Sequence, residues 1–140
     1  MSARFGWLQS QAAARLSLYM DKPALRAAIL AELETELTRQ TQAAQGSRDE
    51  ATSEENKAEG KYDMRAQEAA YLAEGQARMV AEIRDNLAHY ISLPLPDFSG
   101  GPIALGAVVT LRAGTRTLTC LLGPRAGGLE IAVDRRTILV

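Results

Sequence analysis

The chain has 140 residues, enough for one domain or for one small domain carrying an extended element. Its 16 basic and 17 acidic residues nearly cancel, which excludes wholesale coating of nucleic acid and makes local clustering the informative quantity. The single cysteine, Cys120, excludes an internal disulfide framework and points to a reducing, cytoplasmic setting. His89 and Cys120 lie too far apart for zinc-ligand spacing, and no apolar run approaches the roughly 20 residues needed to cross a bilayer.

Met1 to Tyr19 contains Arg4 and Arg15 but no acid. That composition fits an organelle transit peptide, a helix lying on a membrane surface, or an upstream extension with Met20 as the working start. The extension is the preferred reading, because Met20-Asp21-Lys22-Pro23 opens a helix by itself. Asp21 is a good N-cap, and Pro23 suits a first turn, where a missing N–H costs nothing. Residues 1–19 are therefore set apart, and the hairpin unit is expected over 20–93.

From Asp21 to about Thr52 the chain is rich in Ala, Leu, Glu, Gln and Arg, all favourable in helices. Leu30, Leu33, Leu37, Gln40 and Ala44 recur at spacings of three and four, the seam of a coiled coil, and Leu25 and Ile29 extend it toward the start. Gly46 and Ser47 weaken the helix near its end. A second seam runs through Tyr62, Arg65, Ala69, Leu72, Gln76, Met79, Ile83, Asn86 and Tyr90, broadened by Leu87. Both seams carry small and polar residues near the middle of the chain and larger apolar ones farther away. Folded back on each other, the segments would form an antiparallel hairpin that is firm at its base and loose at its tip. Leu33 and Leu37 would then lie near Met79 and Ile83. The competing arrangement is one long helix that dimerises through a continuous seam; Ser53, Asn56 and Gly60 at the junction argue for the hairpin.

Between the two seams, Asp49, Glu50, Glu54, Glu55, Glu59 and Asp63 place six carboxylates in one short stretch. A hairpin would gather them at its far end. There they could hold a divalent cation inside a partner's site, or simply form a solvated face in which Lys57 and Lys61 pair with Glu54 and Glu59.

Leu93-Pro94-Leu95-Pro96 cannot continue a helix, and Ser99-Gly100-Gly101-Pro102 completes a linker over 94–102. The period then changes. Strands are expected over Ile103 to Leu111, Thr115 to Leu122, Leu129 to Val133 and Thr137 to Val140, a small antiparallel unit over 103–140. The chain stops on the apolar run Ile138-Leu139-Val140, which reads as a truncated strand. The fold class expected is α+β: a coiled-coil hairpin followed by an incomplete β unit.

The stretch SEENKAEGKYDMRAQEAAYLAEGQARMVAEI, Ser53 to Ile83, followed by a Pro-rich joint and PIALGAVVTL, resembles the Gre family of bacterial transcription elongation factors, in particular its Gre-like branch. LGPRAGGLEIAVDRRTILV is similar to the strands that open that family's C-terminal domain, which has an FKBP-like fold. The resemblance covers roughly residues 20–140 and departs in two places. The closing segment of the family's C-terminal domain is not present. The tip lacks the Asp that better-known members carry three residues before a Glu-Asn pair: Thr52 stands there if Glu55-Asn56 is the pair, and Asn56 stands there if Glu59-Gly60 is.

The resemblance implies an accessory factor, not an enzyme, expected to be monomeric and without a membrane association. Its hairpin would enter the secondary channel of RNA polymerase and come near the nascent RNA and DNA. Tip carboxylates would help hold a Mg²⁺ shared with the polymerase, with no cofactor of the factor's own, so that a backtracked enzyme cleaves its own transcript. Mg²⁺ binds one or two carboxylates together with phosphate oxygens, and a second metal stabilises the attacking and leaving oxygens of an in-line displacement. Glu55 and Glu59, four apart, are the first candidates; Asp63 follows one turn later, and Glu54 is adjacent if the turn is irregular. Tyr62 and Tyr71 read as packing residues near the seam, as do His89 and Tyr90 at the hairpin base, and Cys120 as a small core residue. Lys61, Arg65 and Arg78 are equally readable as an RNA-facing side or as surface charge, and Arg135-Arg136 is too short for a nucleic-acid patch. Two other functions stay open: a regulator that occupies the same channel without promoting cleavage, and a plain coiled-coil interaction module.

Overall fold

The computed structural model describes residues 20–52, 64–98 and 101–140. Two helices, α1 (Lys22–Thr52) and α2 (Met64–Ser92), are followed by β1 (Val108–Ala113), β2 (Arg116–Leu121), β3 (Glu130–Val133) and β4 (Arg136–Leu139). The architecture is α+β: two helices packed along each other, then a four-stranded sheet in the order β1-β2-β4-β3.

Helix α1 starts where the cap chemistry puts it. The Asp21 carboxylate accepts from the Ala24 N–H at 3.0 Å, and the Asp21 carbonyl takes the Leu25 N–H at 2.9 Å. The helix then runs through Gly46 and Ser47 to Thr52 without a break, and Ser47 is buried. Packing of the seam outweighs the local propensity cost of about 1 kcal/mol for Gly46.

The helices are antiparallel. Arg26, near the start of α1, donates through Nη2 to the carbonyl of Leu93, just past the end of α2. Leu25, Ile29 and Leu33 share one buried cluster with Ile83, Tyr90 and Leu93. This is the hairpin and not the continuous rod. The grading expected along it is present: the buried positions toward the far end are Gln40, Ser47 and Ala69, whereas the base buries Leu, Ile and Tyr. Gln40 is fixed by the Glu36 carboxylate, which accepts from Gln40 Nε2 at 2.8 Å and from Arg39 at 2.7 and 2.8 Å. The Arg39 hydrogen bonds, followed by that of Gln40, hold the Glu36 carboxyl below its ordinary range.

The second seam differs from expectation at alternate positions. Leu72 and Met79 are 56% and 46% exposed, while Val80 is buried and Ala73 half-buried. Ala69, Gln76, Ile83 and Tyr90 keep their places, so the interface uses the residues four beyond Ala69 and Gln76, not three. Both choices satisfy a three-four repeat, and the larger side chains at 72 and 79 point to the wrong flank. A close helix–helix approach takes the smaller Ala73 and Val80 instead.

The sheet is mixed, which corrects the expectation of a wholly antiparallel unit. The pairs β1–β2 and β3–β4 are antiparallel, but β2 and β4 are parallel, with Thr119 opposite Ile138 and Cys120 opposite Leu139. The chain leaves β2, passes β4's place and forms β3 on the outer edge. It then returns through a two-residue turn whose central residues, Asp134 and Arg135, have φ of 50° and 63°. Positive φ at both positions is the signature of the I′ turn, whose twist matches that of a hairpin.

The first strand also starts later than expected, at Val108 and not Ile103. Gly106 is the reason. Its φ is 84°, its N–H donates to Leu122 O at 2.8 Å, and a Cβ there would fall on the Pro94 carbonyl oxygen. Only glycine accepts both demands.

One core joins helices and sheet: Leu121, Ile131, Val133 and Ile138 belong to the same cluster as Leu25, Ile29 and Tyr90. Tyr90 is 1% exposed and its hydroxyl donates to the Arg125 carbonyl at 2.6 Å, tying the end of α2 to the loop after β2. Burial pushes this hydroxyl above its ordinary value of 10.0. The folded state therefore favours the neutral phenol. Its contribution is complete below the unfolded value near 10 and is lost as pH rises through the higher folded value. In a spectrophotometric titration, Tyr90 should ionise above its ordinary value and together with unfolding, and Tyr90→Phe should remove that alkaline step. Persistence of the same step in Tyr90→Phe would contradict the assignment.

Candidate functional site

The far end of the hairpin is delimited by the last turns of α1 and the first turns of α2. These helix ends lie opposite the sheet, because the sheet packs on the cluster built from residues 25–33 and 83–93. With 31 residues, α1 carries its C-terminus about 46 Å from its start at 1.5 Å per residue.

Of the six acids in the central stretch, two are described. Asp49 and Glu50 are both exposed on the last turns of α1. The Asp49 carboxylate accepts from Gln45 Nε2 at 2.7 Å, an i,i+4 pair along the helix surface. Glu54, Glu55, Glu59 and Asp63, the four candidates for metal binding, lie outside the described residues, as do Lys57, Lys61 and Tyr62. Among the described residues no group of three or more His, Cys, Asp or Glu side chains comes together.

Thr52, which stands in the position of the Asp of the resembling motif on one alignment, has its hydroxyl engaged by the helix itself. It donates to Arg48 O at 2.9 Å and approaches Asp49 O at 3.4 Å. Such back-bonding satisfies the hydroxyl and offers no anionic oxygen.

Other residues singled out in the sequence are placed as follows. Tyr71 is 74% exposed and does not pack into the seam. With Met64, Leu72 and Met79 it forms an exposed apolar strip on the distal half of α2. Arg78 pairs with Glu74 at 2.6 Å on the exposed surface, so its charge is partly answered locally. His89 is exposed, with Nδ1 2.8 Å from Asp85 O, and does not pack; Tyr90 does. Cys120 is half-buried on the face of the sheet opposite Ile138, outside the core cluster. Alternation along β2 puts Thr119 and Leu121 on the core side, and Cys120 necessarily faces away.

Two residues not anticipated from the sequence shape the hairpin base. Lys22 donates through Nζ to the carbonyls of Pro96 and, at 3.2 Å, Gly106, and sits 5.0 Å from the centre of the Phe98 ring. Arg26 holds Leu93 O. Together they fasten the Pro-rich joint to α1. A signal was present: basic residues in the first turns of a helix oppose its dipole, so two of them there need another reason. That reason is a set of backbone carbonyls outside the helices: Leu93 and Pro96 in the proline joint and Gly106 ahead of β1.

No family model, curated protein or solved structure matches the chain.

Proposed function

We propose that this chain is a Gre-like transcription elongation factor of the cytoplasm. In this reading it binds RNA polymerase, inserts the far end of the hairpin into the secondary channel, and stimulates transcript cleavage in backtracked complexes. It acts as an accessory to the polymerase's own chemistry. Glu55 and Glu59, with Asp63 and Glu54 beside them, would contribute carboxylates to a Mg²⁺ shared with the polymerase. The observation that supports this reading is the antiparallel hairpin. Its distal half, closed by a seam of small and polar residues, leads from the sheet to the acidic stretch, with Asp49 already exposed at the end of α1. A probe built to enter a narrow channel needs a slender distal part and a base held rigidly elsewhere. The Ala, Ser and Gln seam provides the first; the cluster around Tyr90 and Ile138 provides the second.

The polar engagement of Thr52 favours a second reading, a regulator that occupies the same channel without promoting cleavage. One assay separates the two. The protein is added to stalled, backtracked polymerase carrying 3′-labelled RNA. Release of short 3′ fragments supports the cleavage factor; slower synthesis with the RNA end intact supports the regulator. Absence of both effects, with a stable dimer by light scattering, would leave a plain interaction module.

A further inference from the structure

We propose that the cavity at the base of the hairpin binds a small aliphatic carboxylate. The inference is independent of the polymerase reading, since the cavity lies at the base of the hairpin, away from its distal end.

The cavity has a volume of about 380 Å³ and is lined by Lys22, Pro23, Arg26, Ala27, Leu30 and Leu95. That size falls within the roughly 300–1,000 Å³ of small-molecule sites, which are mainly apolar with a few placed polar groups. Four of its six walls are hydrocarbon. The other two are cations one helical turn apart, a pairing that repels. Among the described residues neither has an acidic partner within ion-pair distance.

Both cations are held in position. Lys22 Nζ is fixed by the Pro96 and Gly106 carbonyls, and Arg26 by the Leu93 carbonyl. A carbonyl answers a donor's geometry but not its charge. Arg26 Nε is moreover shut off from solvent with no acceptor among the described residues, so the guanidinium is held short of its full set of hydrogen bonds. An incoming carboxylate supplies a negative charge beside two like charges and oxygens for the terminal guanidinium N–H groups that the Leu93 carbonyl does not take, while Nε stays enclosed. The aliphatic remainder would cover Pro23, Ala27, Leu30 and Leu95. A bare inorganic anion meets only the first need, and a cationic amphiphile only the last.

The test is a two-dimensional ¹H–¹⁵N NMR titration of the full chain with octanoate, octyltrimethylammonium and inorganic phosphate in turn. Octanoate should give saturable shifts confined to residues 22–30 and 93–96, with a Kd of about 1 mM or tighter. The other two probes should not. Arg26→Gln should weaken octanoate about tenfold or more, the loss of a charge-assisted bond. Because that variant also releases Leu93, Ala27→Leu, which fills the cavity from an exposed helix position, serves as a second variant and should abolish binding with the melting curve unchanged. No saturable shift, equal shifts from octyltrimethylammonium or phosphate, or unaltered binding by Ala27→Leu would each overturn the proposal.

Discussion

Gly123→Ala should destabilise the protein by about 1–3 kcal/mol, the range for overpacking a close-packed site, and lower the melting midpoint by about 3–5 °C for each kcal/mol. A methyl group at this position would lie inside the van der Waals shell of the Tyr90 hydroxyl, 3.1 Å from Cζ and 3.3 Å from a Val140 methyl. Tyr90 cannot retreat. Its ring is in the core cluster and its hydroxyl is held by Arg125 O. The two sites should therefore be coupled. Tyr90→Phe alone removes one hydrogen bond, about 1 kcal/mol, with the exposed Arg125 able to turn its carbonyl to water. In Gly123→Ala with Tyr90→Phe the worst clash is gone, so the double variant should be more stable than the sum of the singles by about 1 kcal/mol. Strict additivity in chemical denaturation would show that the contact does not limit this joint. Tyr90→Ala should cost about 3–5 kcal/mol, as large aromatic truncations do, because the ring bridges the end of α2 to the sheet.

Glu55→Gln with Glu59→Gln should reduce transcript shortening to the level of polymerase alone while leaving binding to the enzyme intact. The amide keeps shape and hydrogen-bonding capacity but removes the charge a hard divalent cation requires, so a metal role predicts a loss in rate and not in affinity. Asp49→Asn is the informative comparison. Its carboxylate is already paired with Gln45 on the surface of α1, and the change should leave shortening unaltered. If shortening persists in the Glu55 and Glu59 double variant, the metal assignment to those two residues is wrong. If binding disappears as well, the acids serve docking and not chemistry.

How far the fold was legible differs from one element to the next. The start of α1 was written in Asp21 and Pro23, and its observed cap uses that carboxylate. The end of α2 was written in Pro94, and the helix stops at Ser92. The base of the first seam was equally plain, since Leu25, Ile29 and Leu33 are the large apolar residues of that face. The second seam was legible in period but not in phase: a heptad permits the residue three or four beyond each shared position, and hydrophobicity favoured Leu72 and Met79. The choice of Ala73 and Val80 depends on how closely a second helix approaches, which no single segment encodes. The roles of Lys22 and Arg26 are not legible in the sequence, because their partners are backbone carbonyls about 70 residues or more away, and a carbonyl carries no residue identity.

By itself, the sequence determined the local elements: two long helices, a proline joint, short strands, and an acidic stretch between the helices. Period, caps and turn residues act through neighbours a few positions apart, and those are visible in one dimension. The tertiary structure alone decided that β2 and β4 run parallel, that β3 lies outside β4, that Cys120 turns away from the core, and that Tyr90 locks the hairpin to the sheet through Gly123 and Arg125. Each of these rests on contacts between distant parts of the chain. The closing of a shared core around Ile138 selects one strand order among several that satisfy the same local preferences.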